Sequence, residues 1–127
     1  MSIGIAVIIP SAVVLVADSR MTWPFDADKP PADNSKKIHV ISDELAVISF
    51  GVTQVTNIAI GLLQNRPNLE KSIQAIVTNA ENSIHVAWES VCKCLDEDAD
   101  KSHPSMRAAL VLGGFSGMQP YLAGILR

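Results

Sequence analysis

The chain has 127 residues, of which 48% are hydrophobic and 18% are charged, and its formal net charge is −3. This length suits one domain, and this hydrophobic fraction excludes an intrinsically disordered chain. The acidic balance, without a long basic run, argues against a nucleic-acid partner, because phosphate binding needs clustered Lys and Arg.

The apolar N-terminus, residues 1–16, lacks the features of a secretion signal. No basic segment precedes it, Pro10 interrupts it, and the charged Asp18 follows closely. No stretch of the chain approaches the roughly 20 apolar residues of a membrane-spanning helix. Cys92 and Cys94 are too close together for a structural disulfide and too few for a four-ligand metal site. These features predict a cytoplasmic protein with reduced cysteines and no membrane partner.

The apolar pattern predicts a run of strands, then two helices, then a final pair of strands. Short unbroken runs rich in Val and Ile are typical of strands covered on both faces, and Pro10 and Asp43 lie at turns between such runs. Apolar residues at a spacing of three and four predict the helices, and Thr53 can cap the first of them. The predicted strands are 3–9, 12–18, 38–41, 45–50, 106–113 and 121–126, and the predicted helices are 53–64 and 69–95.

The order of these elements indicates an α+β fold. Runs of strands followed by runs of helices favour layers, with helices packed on a mainly antiparallel sheet. We expect the first four strands to share that sheet, with both helices on one of its faces. Residues 22–35 contain Pro24, Pro30 and Pro31 and are predicted to form a loop.

Four local features carry chemical information. They are Ser2, Asp18-Ser19-Arg20-Met21-Thr22, Lys36-Lys37-Ile38 and Ser49-Phe50-Gly51. Their order and spacing resemble those of proteasome β-type subunits and of the related bacterial proteasome-like peptidase, which are N-terminal-nucleophile hydrolases. The most specific part is 13–20, an apolar strand that ends in Asp-Ser-Arg. The resemblance extends over nearly the whole chain and matches the N-terminal portion of such a subunit.

The resemblance implies a fold and a catalytic machinery. The fold is the αββα sandwich of these hydrolases, present in part, as one domain over residues 1–127. Ser2 matches the nucleophile position, and removal of Met1 gives it a free α-amino group. An ordinary α-amino pKa is about 7.7–8.0, so this amine can act as general base for the hydroxyl of its own residue.

Three further residues match the family's catalytic positions. Lys37 matches the catalytic lysine, whose charge lowers the pKa of the nearby amine, and Asp18 matches the carboxylate that orients this lysine. The backbone N–H of Gly51 matches the donor that stabilises the oxyanion. The stretch from Asp18 to Lys37 is a few residues longer than in the family, so Lys36 is the alternative to Lys37.

The same resemblance implies a substrate site. Thr22 and Gly51 match positions whose backbone groups hold an extended peptide, in the manner of an added strand. Met21, Ser35 and Ser49 match positions that line the main specificity pocket. None of these side chains is charged, so we expect a preference for neutral substrate side chains.

The expected partners follow from the family as well. Its members form rings that enclose unfolded chains, and the bacterial ones work with an ATP-dependent unfoldase. We therefore expect a peptide or unfolded protein as substrate and a homo-oligomeric ring, with apolar contact surface on the helices and on the 22–35 loop. No cofactor is expected, and no metal, because His39, His85 and His103 show no ligand spacing.

Two alternatives to a peptidase stay open. The chain can be a non-catalytic structural subunit of such a ring, which retention of Met1 would favour, because Ser2 would then have no free amine. It can also be an amidohydrolase that acts on a small amide, since one fold serves several activities. The chain departs from the family pattern in having Ser in place of the usual Thr at position 2, and Val52 and Thr53 in place of small residues after Gly51.

Overall fold

The computed structural model describes residues 3–21, 28–65, 72–102 and 106–127. Within these residues the order of elements is four strands, two helices and two strands, as predicted. The strands are β1 (Gly4–Ile9), β2 (Ala12–Ala17), β3 (Ile38–Ser42), β4 (Leu45–Gly51), β5 (Ala108–Ser116) and β6 (Gln119–Leu126). The helices are α1 (Thr53–Gln64) and α2 (Ile73–Lys93).

The strands form three antiparallel hairpins with short turns. Ile9 lies opposite Ala12, so Pro10 and Ser11 alone connect β1 to β2. Asp43 and Glu44 connect β3 to β4 in the same way, after a register shift within β3. These are the turns that proline and acidic residues predict, because both residue types favour tight turns over strands.

The hairpins divide into two sheets, so the expectation that the first four strands share one sheet is wrong. The strands β3, β4, β5 and β6 form a four-stranded sheet in that order, and β1 and β2 form a separate two-stranded sheet. The two sheets pack face to face. A Cβ atom on Gly113 of β5 would lie only 2.8 Å from Leu15 and 2.9 Å from Val13 of β2, so the lack of a side chain at Gly113 permits this approach.

The helices cover the other face of the four-stranded sheet. Val47, which is 0% exposed, belongs to the core that α1 and α2 form with this sheet, and its neighbour Ile48 is 1% exposed on the opposite side of β4. The strand β4 is therefore buried on both faces, as its unbroken apolar run predicts. The core on the helix side also contains Leu45, Val55, Ala59, Ile60, Leu63, Ile76, Ala80, Ile84, Ala87, Leu110, Leu112, Tyr121 and Ile125.

The outer face of the β1–β2 sheet is apolar and exposed. Ile5 lies opposite Val16 and Val7 lies opposite Val14, and these four side chains are 44–56% exposed. The helices contribute only Ile58 and Val86 to the exposed large hydrophobic residues of the described chain. Among the described residues, the apolar surface is therefore concentrated on β1 and β2. The sequence led us to expect it on the helices and on the 22–35 loop, of which residues 22–27 lie outside the described ranges.

Several boundaries differ from the predicted ones. Thr53 is the first residue of α1 and not its cap; the N-cap is Val52, which makes no side-chain capping bond. The strand β5 continues through Gly113 and Gly114 to Ser116, beyond its predicted end at residue 113. Neither of the two helices within the described ranges has the apolar length that a membrane span requires.

Candidate active site

A partly buried ion pair joins the ends of two strands. Asp18 follows β2 and Lys37 precedes β3, and the Lys37 Nζ lies 2.9 Å from Asp18 Oδ1. The side chain of Lys37 is 8% exposed and that of Asp18 is 29% exposed. The two residues that the sequence predicted as catalytic partners are thus in direct contact, with the lysine withdrawn from water and the carboxylate partly exposed.

Main-chain groups complete the environment of this pair. The Ile3 N–H donates to Asp18 Oδ1 at 2.9 Å, and the Asp18 N–H donates in return to the Ile3 carbonyl at 3.0 Å. The Arg20 N–H donates to Asp18 Oδ2 at 3.3 Å, and Lys37 Nζ donates to the Arg20 carbonyl oxygen. One carboxylate oxygen of Asp18 therefore accepts from both Lys37 and Ile3, the residue that follows Ser2.

These contacts stabilise the charged form of Asp18. The hydrogen bond from Lys37, and next the one from the Ile3 N–H, lower the pKa of Asp18 below its ordinary value of 3.8. Hydrogen bonds to a carboxylate favour its ionised form. Asp18 is thus an anion throughout the neutral range and holds the Lys37 ammonium in one position.

The substitution Asp18→Asn tests this arrangement through its pH dependence. Because the pKa of Asp18 in the folded chain lies below its ordinary value, the stability that its charge contributes is present above about pH 4 and is lost as the pH falls through the folded pKa. We expect the variant to be less stable than the wild type at pH 7 and the difference to shrink towards pH 3. Urea unfolding at both pH values measures it, and an equal difference at both would contradict the assigned contacts.

Gly51 lies at the end of β4, on the strand that also pairs with Lys37. Gly51 lies opposite Ala108 of β5, but both main-chain hydrogen bonds of Ala108 are made with Arg127. Gly51 and Ala108 are therefore not bonded to each other, and the Gly51 N–H points away from β5. Two residues earlier, Ser49 directs its N–H to the same side and donates it to the Lys37 carbonyl at 2.8 Å. The Gly51 N–H therefore points to the edge of the sheet where Lys37 enters β3, about 7 Å along the strand from the Ser49 N–H.

The N-terminal end of β1 lies over the same region. A Cβ atom on Gly4 would lie 2.3 Å from the tip of the Phe50 ring, so the ring occupies the space next to the Gly4 main chain. Phe50 immediately precedes Gly51. The ring thus packs between the start of β1 and the end of β4.

The residues predicted to line the specificity pocket contact this cluster or the start of α1. Ser49 is 7% exposed, and its hydroxyl donates to the Lys37 carbonyl at 3.4 Å. The Thr53 hydroxyl donates to Met21 Sδ at 3.5 Å. The Ser35 N–H donates to the Ser19 carbonyl at 2.9 Å, which ties it to the segment after β2.

A short segment of the proline-rich loop fixes the residues that follow Asp18. Met21 and Ala32 exchange main-chain hydrogen bonds of 2.7 and 2.9 Å. The Ser19 hydroxyl donates to the Asp33 carbonyl at 2.6 Å, and Arg20 Nε donates to Asp33 Oδ1 at 2.8 Å. The Arg20–Asp33 ion pair is exposed, and exposed pairs contribute little, so the main-chain and hydroxyl bonds are the firmer part of this contact.

Two of the predicted site residues, Ser2 and Thr22, lie outside the described residues. Of the other six, Asp18 contacts the Lys37 side chain, Ser49 contacts the Lys37 main chain, and Gly51 lies two residues after Ser49. Met21 and Ser35 make their contacts with Thr53 and Ser19 instead. Lys36, the alternative to Lys37, is exposed and does not take the place of Lys37 beside Asp18.

The sequence did not predict the main-chain partners of the ion pair. It also did not predict that His39 Nε2 lies 3.2 Å from the Ser49 hydroxyl oxygen. Main-chain N–H and carbonyl groups are common to nearly all residue types, so nothing in the sequence marked Ile3 and Arg20 as partners of Asp18 and Lys37. The position of His39 was predictable in principle, since it lies two residues after Lys37 and alternate residues of a strand share a face.

No protein-family model matches the chain, and no characterised protein was found to match it significantly. Across the described ranges, no three His, Cys, Asp or Glu side chains are grouped as the ligands of a metal ion would be.

Proposed function

We propose that this chain is the N-terminal portion of a proteasome-type N-terminal-nucleophile hydrolase, which cleaves peptide bonds with Ser2 after removal of Met1. One observation carries the proposal: Asp18 Oδ1 accepts hydrogen bonds from both Lys37 Nζ and the Ile3 N–H. The peptide bond to Ile3 attaches Ser2 to this shared contact. A terminal hydroxyl and amine beside a lysine–aspartate pair are the groups that this mechanism requires.

The layer order supports the same proposal. A two-stranded sheet lies on one face of the four-stranded sheet, and both helices lie on the other face. This order, helices then sheet then sheet, agrees with three consecutive layers of the αββα sandwich. The ion pair joins the residue that follows β2 in one sheet to the residue that precedes β3 in the other.

The proposed reaction has two steps. The Ser2 hydroxyl attacks the substrate carbonyl carbon while its proton passes to the Ser2 amine, directly or through a water molecule. The C–N bond then breaks, the leaving amine takes this proton, and an ester links the acyl group to Ser2. A water molecule attacks the ester in the second step, which releases the acid and returns the proton to the Ser2 hydroxyl.

Lys37 and Gly51 have electrostatic parts in this scheme. Lys37 is a nearly buried cation, so its charge is screened less than that of a surface lysine, and it keeps the neighbouring amine from holding its proton too tightly. The Gly51 N–H points to the edge where Lys37 enters β3 and stabilises the negative oxygen of the tetrahedral intermediate. In other enzymes, removal of one such donor costs about 3–4 kcal/mol of transition-state stabilisation.

The proposal extends to partners. A peptide or unfolded protein chain is the substrate, and a homo-oligomeric ring, served by an ATP-dependent unfoldase, is the assembly. The uncharged side chains of Met21, Ser35 and Ser49 favour neutral substrate side chains at neutral pH.

Turnover of fluorogenic peptide amides by the Met1-processed chain tests the proposal. We expect Ser2→Ala to abolish turnover, because no other group supplies the attacking oxygen, and Ser2→Thr to retain or raise it, because the threonine methyl group restrains the rotation of the side chain. Unchanged turnover in Ser2→Ala would show that the nucleophile lies elsewhere. Hydrolysis of small amides in place of peptides would favour the amidohydrolase, and inactivity of the processed wild type would favour the non-catalytic subunit.

A further inference from the structure

A histidine contacts the innermost residue of the predicted specificity pocket. His39 Nε2 lies 3.2 Å from the Ser49 hydroxyl oxygen. Lys37 and His39 are two residues apart at the start of β3, so their side chains lie on the same face of the sheet. Ser49 on the paired strand β4 lies on that face as well. Ser49 is 7% exposed whereas His39 is half-buried, so the imidazole is the part of this pair that a substrate can reach.

Among the described residues, the strands and the helix that pack against β3 carry no carboxylate to pair with the charged form of His39. The elements packed against β3 are β2, β4 and α1, and none of the three contains a charged residue. The charged groups near it along the chain are Lys36, which repels a second positive charge, and Lys37, whose ammonium is bound by Asp18. Asp18 is thus committed to Lys37 and to the Ile3 and Arg20 main chain.

This environment keeps His39 neutral at neutral pH. Burial, and next the charge of Lys36, lower the pKa of His39 below its ordinary value of 6.5. Protonation at lower pH is nevertheless compatible with the hydrogen bonds present, because an imidazolium donates from both nitrogens and the Ser49 oxygen can accept while its own proton is donated to the Lys37 carbonyl.

We propose that His39 determines specificity in the hydrolase proposed above: it admits neutral substrate side chains at neutral pH and selects a carboxylate side chain, Glu or Asp, next to the scissile bond at acidic pH. The substrate carboxylate supplies the counter-charge that the described elements packed against β3 do not offer to His39. The two charges meet where water is partly excluded, so their attraction is stronger than that of a surface pair. This inference rests on the proposed function, since it assigns a substrate class to the same site.

The experiment compares two fluorogenic peptides that differ only in Glu or Gln before the scissile bond. The ratio of their kcat/KM values is measured at pH 7.5 and pH 5.5 with the processed full chain. Protonation of the Ser2 amine slows both peptides equally and cancels in this ratio. We expect the Glu-to-Gln ratio to rise about tenfold towards pH 5.5 in the wild type, which is the effect of one pKa unit of interaction with the imidazolium.

Three variants isolate the contribution of His39. The ratio is expected to be independent of pH in His39→Gln and in His39→Asn, and to be high at both pH values in His39→Lys, which carries a permanent charge. His85→Gln, on the exposed side of α2, is the matched control and keeps the wild-type rise.

The outcomes separate the two proposals. Turnover of both peptides with a ratio that does not change with pH in the wild type, or that rises equally in His39→Gln, overturns the assignment of His39 and leaves the hydrolase intact. Absence of turnover of either peptide by the processed wild type overturns the proposed function, and the specificity assignment fails with it.

Discussion

Lys37→Met is expected to reduce peptide turnover by about 10³-fold, the upper range for loss of one charged or donor group at a reacting centre. The substitution keeps the length and apolar stem of the side chain but removes the charge that Asp18 and the Arg20 carbonyl hold in place. The amine of Ser2 then loses the cation that weakens its hold on a proton. The carboxylate of Asp18 also loses its strongest partner.

Lys36→Met is the matched control for this prediction. Lys36 has the same charge and lies next to Lys37 in the chain, but it is exposed. We expect its substitution to leave kcat within about twofold, since a solvent-exposed charge at this distance is screened. The measurement is kcat and kcat/KM with a fluorogenic peptide, accompanied by thermal unfolding of each variant. A loss that follows Lys36, or a Lys37 variant that is fully active, would contradict the assignment of Lys37.

Gly51→Ala is expected to destabilise the fold by more than about 3 kcal/mol, because two independent costs add. The backbone of Gly51 has φ +87°, and a side chain in that region costs about 1–2 kcal/mol. The added Cβ would also lie 2.0 Å from the Arg107 carbonyl oxygen. That oxygen belongs to the backbone and accepts the Val52 N–H, so it cannot move aside without breaking a bond at the start of α1.

The matched control is Gly124→Ala, the same substitution in β6. An added Cβ at Gly124 meets no atom within 4 Å. We expect a change within about 0.5 kcal/mol, towards higher stability, because glycine is the weaker residue inside a strand. The measurement is the free energy of unfolding in urea. If both variants lost the same stability, the strained backbone at Gly51 would not be the cause.

The hairpins and helices could be predicted because their signals are local. Pro10 lies in a two-residue turn, and the apolar stripe of α1 runs from Val55 to Leu63 on one face. The division into two sheets could not be predicted in this way. A buried strand has the same apolar pattern whether its neighbours are paired beside it or stacked above it, so the pattern of β1 and β2 did not distinguish the two arrangements.

The candidate site was predictable to the extent that side chains specify it. Asp18 and Lys37 lie at strand ends, and their order along the chain led to the contact that the structure contains. Thr53 was predicted as a helix cap but donates its hydroxyl to Met21 Sδ. A propensity for caps ranks residue types, whereas the partner of a hydroxyl depends on a contact between segments that are distant in the sequence.

The measurement that tests the central claim most directly is the mass of the N-terminal peptide after reaction with a peptidyl β-lactone, whose ring opens onto a nucleophile and leaves an ester. Digestion and mass spectrometry of the labelled chain should give a peptide that begins at Ser2, without Met1, and carries one acyl group on Ser2. Ser2→Ala, treated in the same way, should carry no such group and so control for reaction at the exposed Cys94. An active chain whose N-terminal peptide retains Met1 or stays unlabelled would contradict the account.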